Sequence, residues 1–212
     1  MKLPRVILAD DHTLVAEALR QLIAPHFEVV ALVADGRALL EAAVSLKPDI
    51  VIVDVAMPLL NGLEASRQLR MKVPSIKFVF LTMNEDPDLA TEAIKAGASA
   101  YVLKKAAGSE LLQALQAALR GRTYITAQIA RGMQESFIRN PQGRKQPRAL
   151  TPRQREVVQL LAEGRSMKEA ANVLSVTPRT IAFHKYRLMQ DLGLKTNADV
   201  VQYAIKSRIV VG

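Results

Sequence analysis

The chain has 212 residues, half of them apolar, enough to build an ordinary buried core in one large or two small domains. It contains no Cys, which excludes a disulfide framework, thiol catalysis and Cys-based zinc sites, so any metal is held mainly by oxygen or His ligands. Its net charge is +9, yet residues 1–120 carry 13 Lys/Arg against 14 Asp/Glu, residues 121–150 carry 6 against 1, and residues 151–212 carry 10 against 5. The positive excess lies beyond residue 120 and favours an anionic partner for that part, nucleic acid before membrane.

No apolar run reaches the roughly 18 to 20 residues needed to span a bilayer, and the N-terminus lacks the order of a signal peptide. A cytoplasmic protein with no membrane partner is expected. Five short β-branched runs recur through the first half: RVILA (5–9), EVVALV (28–33), DIVIV (49–53), KFVFL (77–81) and AYVL (100–103). Each is continuous rather than alternating, as strands buried on both faces are. Between them lie helical spacings, such as Leu14, Ala18, Leu19, Leu22 and Ile23, then Leu39, Leu40, Ala43 and Leu46. Further helical patterns run over about 61–70, 87–96 and 108–120, with KPD, NGL and KAGASA supplying breaks. Strands alternating with helices predict an α/β doubly wound, five-stranded parallel sheet.

Beyond Gly121 the pattern changes. Ile125, Ile129, Met133 and Phe137 recur every four residues, one narrow helical stripe. RNPQGRKQPR (139–148) has two Pro, one Gly and no apolar side chain, and reads as a flexible tether. From Leu150 every apolar run has helical period, and four helices fit at about 152–163, 167–174, 178–190 and 197–206. The predicted organisation is an α/β domain over 1–121, a linker with an amphipathic helix over 122–148, and a small all-α domain over 149–212.

The stretch PDIVIVDVAMP (48–58) runs four large apolar residues into the carboxylate of Asp54, a charge that is expensive to bury unpaired. In a doubly wound sheet, functional groups gather at the carboxyl ends of the strands. Strand 1 ends in Asp10 and Asp11, strand 3 in Asp54, strand 4 in Thr82 and strand 5 in Lys104. Three neighbouring carboxylates repel, and a hard divalent cation such as Mg²⁺ relieves that repulsion. A hydroxyl and an ammonium on the same rim suit a tetrahedral phosphoryl group, with Asp54 as the nucleophile that forms an acyl phosphate. Taken singly, each residue has a plainer reading as a cap, a strand residue or a loop former. Asp54 is expected at an exposed rim. Only one of Lys104 and Lys105 is expected to face it if the strand continues, because successive strand residues point to opposite faces. His12 is expected as a first-turn helix residue rather than a metal ligand.

Through LADDH, IVIVDVAMPLLNG, FVFLT and AGASAYVLKK, in that order, residues 5 to about 120 resemble the flavodoxin-like receiver domain of two-component response regulators. The resemblance implies that Asp54 accepts a phosphoryl group from a sensor histidine kinase. It implies an acidic pocket of Asp10 and Asp11, with Asp11 and Asp54 offering side-chain oxygens to Mg²⁺ and Ala56 a backbone carbonyl. It further implies that Thr82 hydrogen-bonds the phosphoryl oxygen, that Lys104 pairs with it, and that Tyr101 repacks on activation.

In the last domain, MKEAANVLSVTPRTIAFHKYRLMQDLG (167–193) has helix-turn-helix punctuation, with Thr177 as N-cap and Pro178 at the first helical position. The second helix turns Ile181, Leu188 and Leu192 inward and offers cations and hydrogen-bonding groups outward, which suits a major groove. LTPRQREVVQLLAEG, TPRTIAFHKYRLMQDLGLKT and the Ala198, Val200, Val201, Ala204 stripe make residues 150–204 resemble the four-helix LuxR-type DNA-binding domain of NarL-type response regulators. The resemblance implies that Ala182, Phe183 and Tyr186 meet bases and that Thr180, Lys185 and Arg187 meet phosphates, with His184 at either a phosphate or a helix contact. Apolar Ala182 and Phe183 stand where polar residues are frequent, which leaves the target sequence open. The last helix is implied as the dimer contact, so the expected partners are double-stranded promoter DNA, a second copy of the chain, the kinase and RNA polymerase.

The expected function is therefore a phosphorylation-controlled transcriptional regulator and not an enzyme. Two alternatives share part of this pattern. One is a DNA-binding regulator independent of phosphorylation. The other is an aspartyl-phosphate phosphohydrolase, which needs a second acid or base just beyond the nucleophile, where position 56 is Ala.

Overall fold

The computed structural model describes residues 2–139 and 150–210. Two compact units make up the chain. The first runs β1 (Arg5–Ala9), α1 (Thr13–Ile23), β2 (Glu28–Val33), α2 (Gly36–Leu46), β3 (Ile50–Val53), α3 (Gly62–Lys72), β4 (Lys77–Thr82), α4 (Pro87–Lys95), β5 (Ala100–Leu103), α5 (Ala107–Leu119), β6 (Tyr124–Ile125) and α6 (Ala127–Arg139).

All strands are parallel and lie in the order β2-β1-β3-β4-β5-β6. The expected five strands are therefore joined by a sixth, the two-residue β6, which pairs Tyr124 with Ala100 and Ile125 with Tyr101. Nothing in a two-residue run marks it as a strand; tertiary pairing alone makes it one. The apolar stretch in β2 is only partly buried, contrary to its continuous pattern, because β2 is the outermost strand.

Val6, Leu8, Ile50, Ile52, Val79, Leu81 and Val102 form one core layer with Leu19 and Ile23 of α1 and Leu111, Ala114, Leu115 and Ala118 of α5. The alternate residues Ile7, Val51, Val53, Phe80 and Tyr101 are equally buried on the opposite face, where α2 packs on β1 and α4 on β5. Both faces being covered explains why the central strands read as unbroken apolar runs. Strand order reverses at β1, with β2 on one side of it and β3 on the other, so the carboxyl ends of β1 and β3 border the crevice where such sheets bind ligands.

The second unit is α7 (Pro152–Ala162), α8 (Met167–Val173), α9 (Pro178–Leu192) and α10 (Asn197–Lys206). Capping chemistry sets its helix starts: Thr151 with Gln154, Ser166 with Glu169 and Thr196 with Asp199 form reciprocal capping boxes. The Thr177 hydroxyl accepts from the Thr180 amide and Pro178 opens α9, while Gly193, with φ of 68°, ends it in the left-handed region. Leu150, Val158, Leu188, Val200 and Ala204 form one small core, and Leu160, Ala170, Ala171, Leu174 and Ile181 another. The expected tether over 139–148 falls, apart from Arg139, outside the described residues. Among those residues no helix is long and apolar enough to cross a membrane.

Candidate functional site

Strands β1 and β3 are held in register by four Cα partners, the last being Ala9 with Val53, so the residues that follow them emerge side by side. Those residues are Asp10 and Asp54, both buried. The Asp54 amide donates to the Ala9 carbonyl at 2.9 Å and the Asp10 amide to the Val33 carbonyl at 3.0 Å, which fixes both backbones. The expectation of a solvent-exposed Asp54 does not hold: it is 4 % accessible. What makes burial tolerable is Lys104, whose Nζ lies 2.7 Å from Asp54 Oδ2 and 2.7 Å from Asp10 Oδ2. One ammonium thus balances two carboxylates. Burial acts against its charge, but the hydrogen bonds to Asp10 and then Asp54 outweigh that, and the Lys104 pKa lies above the ordinary lysine value.

Lys104 faces the pocket as expected, though not by strand alternation. The strand ends at Leu103, and Lys104–Ala106 form a short 3₁₀ turn that sends Lys105 to Glu85 instead. That ion pair lowers the Glu85 carboxyl below its usual range, chiefly through the Lys105 hydrogen bond.

Gly62, at the start of α3, approaches the backbone of Asp54 closely. A Cβ there would lie 2.0 Å from the Asp54 carbonyl oxygen and 2.8 Å from Val53 Cγ2, so only glycine fits. The Ala56 amide donates to Asp54 Oδ1 at 3.3 Å, which turns the other carboxylate oxygen toward Lys104. Thr82 ends β4 and is 1 % accessible; its Oγ accepts from the Asn84 amide at 3.1 Å. Tyr101, fully buried, donates its hydroxyl to the Asn84 carbonyl at 3.1 Å. Thr82 and Tyr101 thereby hold the backbone amide and carbonyl of Asn84, in the β4–α4 connection.

Asp11 is exposed, and His12 joins it. His12 is the N-cap of α1 rather than a first-turn residue, and its Nδ1 lies 2.9 Å from Asp11 Oδ1 and 3.2 Å from Asp10 Oδ1. One potential ligand atom from each of Asp10, Asp11, His12 and Asp54 lies within 4.8 Å of the others. Opposite ligands of an octahedral Mg²⁺ stand about 4 Å apart, so the three carboxylates fit a hard cation of that size.

In the second unit, α9 presents Phe183, Tyr186 and Arg187 to solvent, with Thr180 and Ala182 half-buried beside them. The Arg187 guanidinium lies 5.9 Å from the Phe183 ring centroid, and an open hollow lined by Phe183, Tyr186, Arg187, Gln190 and Asp191 follows the same face. Lys185 departs from expectation. It is 8 % accessible, on the inner side with Ile181 and Leu188, and its Nζ reaches over the Tyr186 ring at 5.4 Å. Helical period explains this, because residues 181, 185 and 188 share one face. His184 is half-buried, and burial, then Arg153 and Arg187, pushes its imidazole below the ordinary value.

The family described as response regulator receiver domain matches residues 6–116, and that of bacterial regulatory proteins of the luxR family matches residues 148–204. The chain belongs to the LuxR-family response regulators. It is a transcription regulator with a receiver and a LuxR-type DNA-binding domain, and phosphorylation-controlled regulation fits that family. A curated relative, the oxygen regulatory protein NreC of Staphylococcus aureus (strain MRSA252), is 30% identical over 97% of this chain and 99% of its own. A LuxR-family two-component response regulator from Aurantimonas sp. SI85-9A1 is similar over 65% of this chain and 99% of its own, at 35% identity and a TM-score of 0.62. RcsB from Salmonella enterica serovar Typhimurium, solved bound to promoter rprA in the presence of phosphomimetic BeF3-, is similar over 97% of this chain and 99% of its own, at 27% identity and a TM-score of 0.59.

Proposed function

We propose that this response regulator takes a phosphoryl group onto Asp54 and uses it to control promoter binding through α9. The observation that carries the reading is the buried Asp54 carboxylate with the Lys104 ammonium placed 2.7 Å from it, at the switch point of the sheet. A fixed cation beside a nucleophilic carboxylate stabilises charge that develops on the transferring group without reorganising.

In the transfer, a carboxylate oxygen of Asp54 attacks the phosphorus of a kinase phosphohistidine. A P–O bond forms as the P–N bond breaks, and the leaving imidazole takes up a proton. Asp10, Asp11 and Asp54, with the Ala56 carbonyl, would hold Mg²⁺, which neutralises charge on the phosphoryl oxygens when bound. Lys104 moves one hydrogen bond from Asp54 to the phosphoryl group, and Thr82 donates its hydroxyl to another oxygen. Asn84 is released from Thr82 and Tyr101 repacks. Ala56 offers no side chain to activate water, so the acyl phosphate is kept as a signal rather than turned over.

On DNA, Phe183, Tyr186 and Ala182 would face bases, while Arg187 and Thr180 would position on phosphates. Lys185 serves the fold of α9 and its ring contact more than the phosphates. The RcsB relative bound to a promoter with a phosphomimetic supports both halves of the reading. Ala198, Val201, Gln202 and Ile205, spaced along α10, form the face that pairs two copies over adjacent half-sites. A regulator acting on promoter DNA would carry out this exchange in the cytoplasm, with RNA polymerase as a further partner.

The test incubates wild type and Asp54→Asn with acetyl phosphate and Mg²⁺, followed by intact mass and by mobility shift on a duplex selected from a random pool. Wild type gains one phosphoryl group and binds more tightly; Asp54→Asn does neither. Equal affinity of Asp54→Asn and phosphodonor-treated wild type would refute the switch.

A further inference from the structure

Helix α6 packs against α4 within the receiver unit. The contact is close because Gly132 faces Pro87: a Cβ at Gly132 would lie 2.6 Å from Pro87 Cγ. Glycine inside a helix is less stable than alanine there, so a mid-helix glycine against a proline ring marks an approach that a side chain would block. Ile129 is buried in the same helix. Two hydrogen bonds flank the glycine: Ser136 Oγ donates to Asp88 Oδ1 at 2.7 Å, and Gln128 Nε2 donates to Glu85 Oε2 at 2.6 Å.

The groups that α6 grips belong to the corner that leads from the phosphoryl site. Glu85 also accepts from Lys105, next to Lys104 in sequence, and it follows Asn84, which Thr82 and Tyr101 hold. Movement of Thr82 or Lys104 toward a phosphoryl group therefore pulls on Glu85 and Asp88, the anchors of α6. The grip is two hydrogen bonds and a few apolar contacts, small enough for a change of one or two hydrogen bonds to undo.

We propose that α6 is a latch, docked on α4 while Asp54 is unmodified and released when Asp54 is phosphorylated; this rests on the phosphoryl-switch reading above. Release frees the 13 residues of α6 and adds them to the chain separating the two units. Effective concentration falls as a linker lengthens, so release weakens any hold of the receiver on its own DNA-binding domain and favours pairing with a second copy.

The absence of Cys makes the latch open to direct test. Asp88→Cys and Ser136→Cys, bridged by a short thiol-reactive cross-linker, hold α6 down; Gly132→Leu lifts it. Amide exchange across α6 is expected to quicken on the order of tenfold when wild type is treated with acetyl phosphate and Mg²⁺, and not in Asp54→Asn. Gly132→Leu reaches the faster rate without phosphodonor. The bridged protein gains a phosphoryl group by intact mass but no affinity for the selected duplex, whereas its unbridged control gains both. Unchanged α6 exchange in phosphorylated wild type, or full gain of affinity by the bridged protein, overturns the latch and leaves the switch standing. Wild type that is phosphorylated without any gain in DNA affinity overturns the switch itself, and the latch with it.

Discussion

Lys104→Met tests the role of the ammonium, because it keeps a similar bulk and removes the charge together with its hydrogen bonds to Asp10 and Asp54. In the native pocket the Lys104 Nζ stands 2.7 Å from an oxygen of each buried carboxylate, so those oxygens are at most 5.4 Å apart. At an effective dielectric of about 20, two like charges at that distance repel by roughly 3 kcal/mol. The figure agrees with the ~3–5 kcal/mol typical of removing one partner from a buried ion pair. In EDTA the receiver transition of Lys104→Met, followed by scanning calorimetry, is expected to fall on the order of 10 °C below wild type. Mg²⁺ restores most of the loss, since a divalent cation takes over the balancing of Asp10 and Asp54, and the variant binds Mg²⁺ more tightly than wild type. Phosphorylation by acetyl phosphate stays slow even with Mg²⁺. If Lys104→Met melts with wild type in EDTA, the ammonium does not balance the pair and the account of the buried Asp54 is wrong.

Gly62→Ala pushes a methyl group into the Asp54 carbonyl, and is expected to cost about 1–3 kcal/mol of receiver stability and to slow acyl-phosphate formation by roughly tenfold or more, read by intact mass against time. Arg187→Ala leaves stability within about 0.5 kcal/mol and lowers the salt dependence of DNA binding by about one charge, measured as affinity against salt concentration. Phe183→Ala weakens binding without changing that slope, so a titration series separates the two roles. His184 carries a depressed pKa, so the folded state resists protonation: its contribution to stability is present above the ordinary imidazole value of about 6.5 and is lost as pH falls below it. Denaturation of the DNA-binding unit across that range should show the loss in wild type and not in His184→Asn.

The strands and helices of both units were legible because their signals are local. Apolar runs mark the buried central strands, apolar residues at helical period mark the helices, and Thr177 followed by Pro178 marks the start of α9. The acidic pocket was legible because each of its members follows a strand, and parallel register brings strand ends together. Burial of Asp54 was not, since it depends on Lys104, from the 3₁₀ turn after β5 and fifty residues on. His12 was read as a helix residue because its ring position comes from the turn after β1, which no spacing reveals. Lys185 was expected on an outer face of its helix, whereas its place four residues after Ile181 and three before Leu188 puts it on the inner one. For α6 the apolar stripe gave the helix, and Gly132 within it was the unread sign of close packing.

The small sixth strand bears on how the receiver can be cut from the chain. The Tyr124 amide donates to the Ser99 carbonyl and the Thr126 amide to the Tyr101 carbonyl, at 3.1 and 3.0 Å. Thr126 also accepts from the Leu103 amide and donates to Glu110, pinning the segment down. A receiver ended at Gly121 would leave the flank of β5 open, with its amides and carbonyls unsatisfied beside the wholly buried residues Ala100 to Leu103. Open strand flanks of that kind invite pairing with other molecules. An isolated receiver that self-associates would then report where it was trimmed, and its oligomeric state would say nothing of signalling in the intact regulator.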